Sequence, residues 1–544
     1  MKRTSLLSLL PAAGFISLLG CAYAPDSHVA LRPMRYPAAE ATPRYAPGVA
    51  AAAAPEAAED IPRTHRPGEF NTEAYDHIVE NEFLRVTDQP LSTFSIDVDT
   101  ASYANVRRFL RHGRRPPRGA VRIEELVNYF RYDYAPPTDG RPFATHVEVA
   151  ACPWNTAHRL ARIGLKGREV RGDSRPSANL VFLLDVSGSM TPANKLPLVR
   201  RAMRMLVEQL GENDRVAIVV YAGATGLVLP STSCDRKEQV LEALERLQAG
   251  GSTNGGAGVE LAYRTAVEGF VQGGTNRVIL CTDGDFNVGV TDRSELVRLV
   301  EKNARSGVFL TVLGFGMGNY KDATLEQLAD KGNGNYGYVD DEAEARKLLV
   351  EQLTGTLVTI AKDVKVQVEF NPAKAHAYRL IGYENRLLAK EDFNDDRKDA
   401  GEIGAGHTVT ALYEVVPAGG KIDMPAVDPL KYQKAPLLAP SAGSEELLTL
   451  KLRYKEPDAE ASKLLTLPIR DDGRGASAAS ADFRFAAAVA SFGMLLRDSR
   501  HRGNATMDGV IELAAGSLGR DEGPYRREFL DLAGKAKQLM GEQP

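Results

Sequence analysis

Asp185, Ser187 and Ser189 are residues whose types and spacing suggest chemistry. One carboxylate and two hydroxyls stand at alternate positions, with Gly188 between the serines. All three present hard oxygen donors, which suit Mg²⁺ or Mn²⁺ better than a soft metal. Gly188 lets the backbone turn sharply enough to aim both hydroxyls at one point. The residues ahead of them say how they would be held. Leu180, Val181, Phe182, Leu183 and Leu184 form an unbroken apolar run, as expected of a strand covered on both faces in a parallel sheet. Open α/β sheets place their ligands at the carboxyl ends of strands, which is where this run delivers Asp185. Read alone, the motif also fits a simpler account, in which Asp185 caps the next helix and the serines satisfy a turn.

The Asp-x-Ser-x-Ser pattern resembles the metal-ion-dependent adhesion site of von Willebrand factor type A domains. That resemblance implies a Thr from a second loop and an Asp from a third. Thr253 stands in GGSTNGGAG and Asp283 in VILCTDGDFN, in that order, the second at the end of another apolar strand. The implied metal ligands are therefore Asp185, Ser187, Ser189, Thr253 and Asp283. Ser187, Ser189 and Thr253 would bind through hydroxyls, and the two carboxylates directly or through water. Mg²⁺ keeps several waters, so the protein need not fill every position. The remaining one would go to water or to a carboxylate of a protein partner. Met190, Asn254 and Phe286 follow the three motifs and are candidate partner contacts, with Asp285 as a further acid near the ion. Helix capping accounts for the first motif only, so the metal reading is preferred.

Rival motifs are weaker. Asp283, Asp285 and Asn287 resemble a calcium hand, but the Gly and Glu that should follow come one place late, at Gly289 and Glu295. GNGNYG matches a dinucleotide fingerprint by letter, yet it follows a predicted helix and precedes a predicted strand, the reverse of what phosphate binding needs. Neither GxSxG nor HExxH occurs. Ser187 has no base near it in sequence. His376 and His407 fall in predicted strands, with a solvated or hydrogen-bonded role. Asp97 and Asp99 read as a polar strand end rather than a metal pair.

The bulk numbers describe an ordinary globular protein: 544 residues, 43% hydrophobic and 25% charged. The net charge of −4 gives no reason to expect nucleic acid. Four cysteines in so long a chain make no disulfide scaffold, and Cys281 reads as a small core residue. Lys2 and Arg3 precede an apolar stretch from Leu6 to Leu19 that ends in Leu18-Leu19-Gly20-Cys21. This resembles a bacterial lipoprotein signal with Cys21 lipidated, and plain secretion is the rival reading. By that resemblance, an Asp after the lipidated Cys would mean retention at the inner membrane, and with Ala22 there the expected place is the outer membrane, facing the periplasm. The Ala- and Pro-rich residues 22–70 read as a flexible tether.

Beyond the tether, SIDVDTASYANVRRFL and VRIEELVNYFRYDY resemble the N-terminal domain of a bacterial von Willebrand factor type A lipoprotein family, assigned to 75–175. Thr100 or Ser102 is the expected cap of its first helix. Residues 178–355 alternate strands and helices as a doubly wound, mostly parallel sheet does. Residues 356–541 change character. VKVQVEF, HAYRLIGY, HTVTALYEVV and LLTLKLRYK alternate like half-exposed antiparallel strands, and helices follow. DFRFAAAVASFGMLLRDS carries the family resemblance here, and its apolar core is too short to span a bilayer. The expected molecule is α/β, with a small α+β N-terminal domain and a β-rich and helical C-terminal one. Its expected role is non-enzymatic: an extracytoplasmic lipoprotein that binds a protein partner through Mg²⁺ or Mn²⁺. A metal-assisted hydrolase and a structural or channel-associated subunit are the alternatives.

Overall fold

The computed structural model describes residues 73–170, 175–251, 255–284, 293–318, 321–398, 400–422, 438–521 and 523–541. All of these lie within one unit, Arg66–Pro544. Cys21, the tether, Thr253, Asn254, Asp285 and Phe286 fall outside the described residues.

The N-terminal flank contributes β1 (Leu84–Arg85), β2 (Leu91–Ser95), α1 (Ala101–Arg111), α2 (Ile123–Asn128), β3 (Phe143–Cys152) and β4 (Asn155–Gly167). Thr100 stands at the cap of α1 but makes no capping bond, and Ser102 instead donates to the Ala120 carbonyl at 2.7 Å. The central region begins with β5 (Ala178–Asp185), α3 (Leu196–Gln209), β6 (Arg215–Tyr221), β7 (Thr225–Ser233), α4 (Lys237–Glu245) and α5 (Gly255–Glu268). It continues through β8 (Thr275–Thr282), α6 (Arg293–Arg305), β9 (Val308–Phe315), α7 (Asp322–Lys331) and β10 (Tyr336–Val339). Its strands lie in the order β10-β9-β8-β5-β6-β7, parallel except for the edge strand β7.

The apolar run forms β5, flanked by parallel neighbours on both sides and buried along its length. Leu180, Phe182 and Leu184 pack with Val199, Met203 and Leu206 of α3 on one face. Val181 and Leu183 pack with Val259, Ala262 and Ala266 of α5 on the other. Two apolar faces leave no position for a polar alternate, which is why the run is unbroken. The region closes with α8 (Glu342–Arg346), a π turn over Lys347–Glu351, and α9 (Leu353–Leu357). The buried Lys347 donates to the Tyr129 carbonyl at 2.8 Å and lies over the Tyr129 ring.

The C-terminal flank supplies β11 (Thr359–Phe370), β12 (Ala375–Ile381), β13 (Ile403–Gly404), β14 (Thr408–Pro417), β15 (Glu446–Lys455) and β16 (Lys463–Arg470), then α10 (Ala481–Arg497), α11 (Met507–Ala515) and α12 (Tyr525–Leu539). The flanks, read from the sequence as two separate domains, share their sheets. One sheet runs β1-β12-β14-β4-β3, and in the other β2 pairs with β11 beside β13, β15 and β16. The faces of the two sheets meet through Phe94, Ile163, Val366, Tyr413 and Leu450. The outer face of the first is covered by α2 and α10 to α12 through Leu126, Phe130, Leu160, Leu412, Phe492 and Phe529. β14 is thus buried on both faces rather than half-exposed, and β16 is mostly open to solvent. No helix among the described residues is long and apolar enough to cross a membrane.

Buried ion pairs fasten the central region to the flanks. Arg122 pairs with Glu125 and Asp322, and Arg386 with Glu326 at 3.0 Å. Arg107 of α1 pairs with Asp340 and reaches Glu344 at 2.7 Å and Glu528 at 3.2 Å. Asp99 accepts from the Tyr336 amide at 2.7 Å and faces Arg386, so it serves this joint and not a metal.

Candidate metal centre

β5 and β8 are adjacent and parallel, with Leu184 opposite Cys281, so Asp185 and Asp283 leave neighbouring strand ends. Both carboxylates are fully buried. The chain then makes a 3₁₀ turn over Gly188–Met190. Asp185 Oδ1 accepts from the Ser187 amide at 2.9 Å, and Ser187 Oγ lies 3.0 Å from Ser189 Oγ. The second loop is tied to this turn by its backbone. The Gly188 amide donates to Gly251 O at 3.0 Å, and the Gly250 amide donates to Val186 O at 2.7 Å. Of the five candidate ligands, the structure brings Asp185, Ser187, Ser189 and Asp283 to one end of the sheet, and Thr253 lies outside the described residues.

These donors fit a small hard cation. Neighbouring oxygens in an octahedral Mg²⁺ shell at ~2.1 Å from the ion stand ~3.0 Å apart. The two serine hydroxyls have that separation, 3.0 Å. Burial pushes the Asp185 carboxyl up to about 6, against the hydrogen bonds from Ser187, and Asp283 adds to the rise. A buried acid beside a second one is a place where a cation is favoured. The capping account fails for Asp185, because α3 starts at Leu196 with Lys195 at its cap.

Two features were not legible as part of the site. Lys195 Nζ donates to Asp283 Oδ2 at 2.8 Å, with both side chains buried. Gly316, at φ +77, lies against the aliphatic stem of Lys195, where any Cβ would collide with it. Its carbonyl accepts from the Tyr338 hydroxyl. Lys195 follows Ser189 by a few residues at a helix start, where a lysine reads as solvated. The same loop receives the chain's first described residues. Glu73 accepts from the Gly318 amide at 2.9 Å and from Arg108 at 2.7 Å, and Ala74 bridges Lys321.

Met190 is corrected: its side chain is fully buried in the core beside α3, because the 3₁₀ turn points it inward, so it cannot touch a partner. His407 stands just before β14 rather than in it. Burial, then Arg131 and Lys166, hold its imidazole down to about 4. It lines a cleft of about 740 Å³ with Tyr129, Lys166, Glu351 and Tyr525, which contains none of the candidate ligands. Cys152, Cys234 and Cys281 are buried free thiols.

Family comparisons follow the same division of the chain. Residues 179–352 match the von Willebrand factor type A domain, 69–162 the family described as von Willebrand factor, and 355–539 that described as uncharacterized protein YfbK, C-terminal. The uncharacterized protein YfbK of Escherichia coli K12 is 44% identical over 468 residues, covering 85% of this chain and 80% of that one. The chain belongs to the YfbK family of von Willebrand factor type A domain proteins. More distant similarity links this family member to human inter-alpha-trypsin inhibitor heavy chain H3, 28% identical over 44% of this chain and 28% of that one. The Arabidopsis thaliana E3 ubiquitin-protein ligase WAV3 is 23% identical over 50% of this chain and 37% of that one. A solved von Willebrand factor type A protein from Catenulispora acidiphila is 15% identical, covering 70% of this chain and 88% of that one at a TM-score of 0.40. Domains of this type mediate interactions between proteins.

Proposed function

We propose that this YfbK family member binds a protein partner through a divalent cation, Mg²⁺ or Mn²⁺, held by Asp185, Ser187, Ser189, Thr253 and Asp283. In this reading the chain sits outside the cytoplasm, anchored by a lipid on Cys21 to the outer membrane and facing the periplasm. The observation that carries the proposal is the pair of serine hydroxyls 3.0 Å apart beside the buried Asp185 and Asp283. A bound divalent ion supplies an open coordination position that an outside carboxylate can fill.

The chain's own residues do the rest. Asp185 fixes the turn by accepting from the Ser187 amide, which sets the direction of both hydroxyls. The Gly188 to Gly251 bond holds the second loop beside the first. One charged contact gives direction but little selectivity, so neighbouring loop residues must meet the partner as well. Asn254, Asp285 and Phe286 remain the candidates, because they flank the ligands in the second and third loops.

The test is Mn²⁺ titration, followed by electron paramagnetic resonance, on the wild type, Asp185→Ala and Asp283→Ala. Loss of binding in both variants with unchanged circular dichroism is expected, and equal binding by all three would overturn the site. Affinity capture from native membranes, with and without EDTA and with Thr253→Ala, tests the partner mode. Capture indifferent to both would place the interaction on another surface. Cys21→Ser is expected to release the chain from membranes, and a variant that still fractionates wholly with them would contradict the anchor.

A further inference from the structure

Resting on that reading, we infer that Lys195 is a resident cation of the metal centre, holding Asp283 permanently and so tuning how strongly the centre binds its ion. The lysine is fixed from three sides. Its amide donates to Pro192 O at 2.9 Å, and its carbonyl accepts from the Val199 amide at 2.8 Å. Gly316 closes over its stem, and the ammonium meets Asp283 Oδ2 with only 7% of the side chain exposed. A lysine so enclosed has little freedom to turn away when an ion arrives.

The electrostatic consequence is direct. Asp185 and Asp283 bring two negative charges, and Lys195 cancels one. The donors then attract a divalent ion less strongly than two uncompensated carboxylates would. The loaded centre keeps a net positive charge, which an outside carboxylate answers. The ammonium meets Asp283 at Oδ2, so it acts on a carboxylate of the centre itself. At close range in a buried setting, one unit charge is enough to move an affinity by about an order of magnitude.

Lys195→Gln and Lys195→Met remove the charge while keeping much of the stem, and Lys195→Arg retains it. Mn²⁺ alone is the probe, titrated into the purified full-length chain and read as loss of the free-ion resonance signal. The neutral variants are expected to bind at least tenfold more tightly than the wild type, and Lys195→Arg within threefold of it. Either neutral variant suffices, provided its circular dichroism is native. Wild-type binding that Lys195→Gln leaves equal or weaker overturns this inference alone. Failure of every form to bind Mn²⁺ overturns the metal reading and this inference together. Binding by the neutral variants and not by the wild type supports it in its strongest form.

Discussion

Ser189 and Met190 are neighbours with opposite surroundings. Ser189 turns its hydroxyl to Ser187, while Met190 fills the core beneath. Met190→Ala should therefore cost about 2–5 kcal/mol in urea unfolding, as buried large-to-small changes do, and leave Mn²⁺ affinity within threefold. Glu124 gives a test by pH. Burial, then Glu384 and Glu125, push its carboxyl from 4.5 up to about 8. Its Oε2 has no hydrogen-bond partner among the described residues. The fold favours the protonated form, so this stability is present in full below pH 4.5 and is lost as pH rises toward 8. Glu124→Gln should add about 1–3 kcal/mol at pH 8 and little at pH 5, measured as the shift in urea midpoint. The oxygen donors were readable from sequence because their type and local spacing carry the signal. Lys195 was not, because its partner Asp283 lies 88 positions away in the chain.

β5 was equally readable, since an unbroken apolar run has one economical explanation in an alternating α/β segment. β14 misled. HTVTALYEVV alternates, and alternation normally marks one wet face, yet Glu414 on the polar side is buried with His158, Trp154 and Arg379 around it. The polar alternates mark a hydrogen-bonded layer beneath α10, and no local pattern separates that from solvent exposure. The joint at α1 follows the same logic. Arg107 is buried with Asp340 and Glu344 from one distant segment and Glu528 from another. Arg107→Ala should cost about 3–5 kcal/mol, because it strands buried carboxylates without their cation. A differential urea titration of wild type and variant reads this loss. A change under 1 kcal/mol would show that the joint is solvated in solution.

Reading the chain in order gave three consecutive regions, and sheet pairing joins the outer two. Nothing in the sequence near Leu91 announces that β2 will pair with β11, because strand partners are chosen by faces that meet only after collapse. The flanks are consequently one folding unit with the central region inserted into it. A chain that begins at residue 175 lacks β2, β3 and β4, which exposes the edges of β11 and β14. It should be insoluble or protease-sensitive through 356–541, and co-expression of residues 66–170 should restore protection. Resistance of the truncated chain to limited proteolysis would contradict this.

The contact of Glu73 with Gly318 has a mechanical meaning. The parallel strands β5, β8 and β9 end on the same side, so the 316–318 loop and the candidate ligands occupy one end of the sheet. Glu73 and Ala74 fasten the start of the described chain to that loop and to Lys321. Tension on the chain ahead of Glu73 therefore arrives first at this end, before any strand of the flanks bears load. The fastening includes the hydrogen bond from the Gly318 amide, the Arg108 ion pair and a β-bridge at Ala74. Under a pull, the loop that covers Lys195 is among the first parts to feel the load. A molecule held through the chain ahead of Glu73 and gripping a partner beside that same loop would thus feel strain at its grip first.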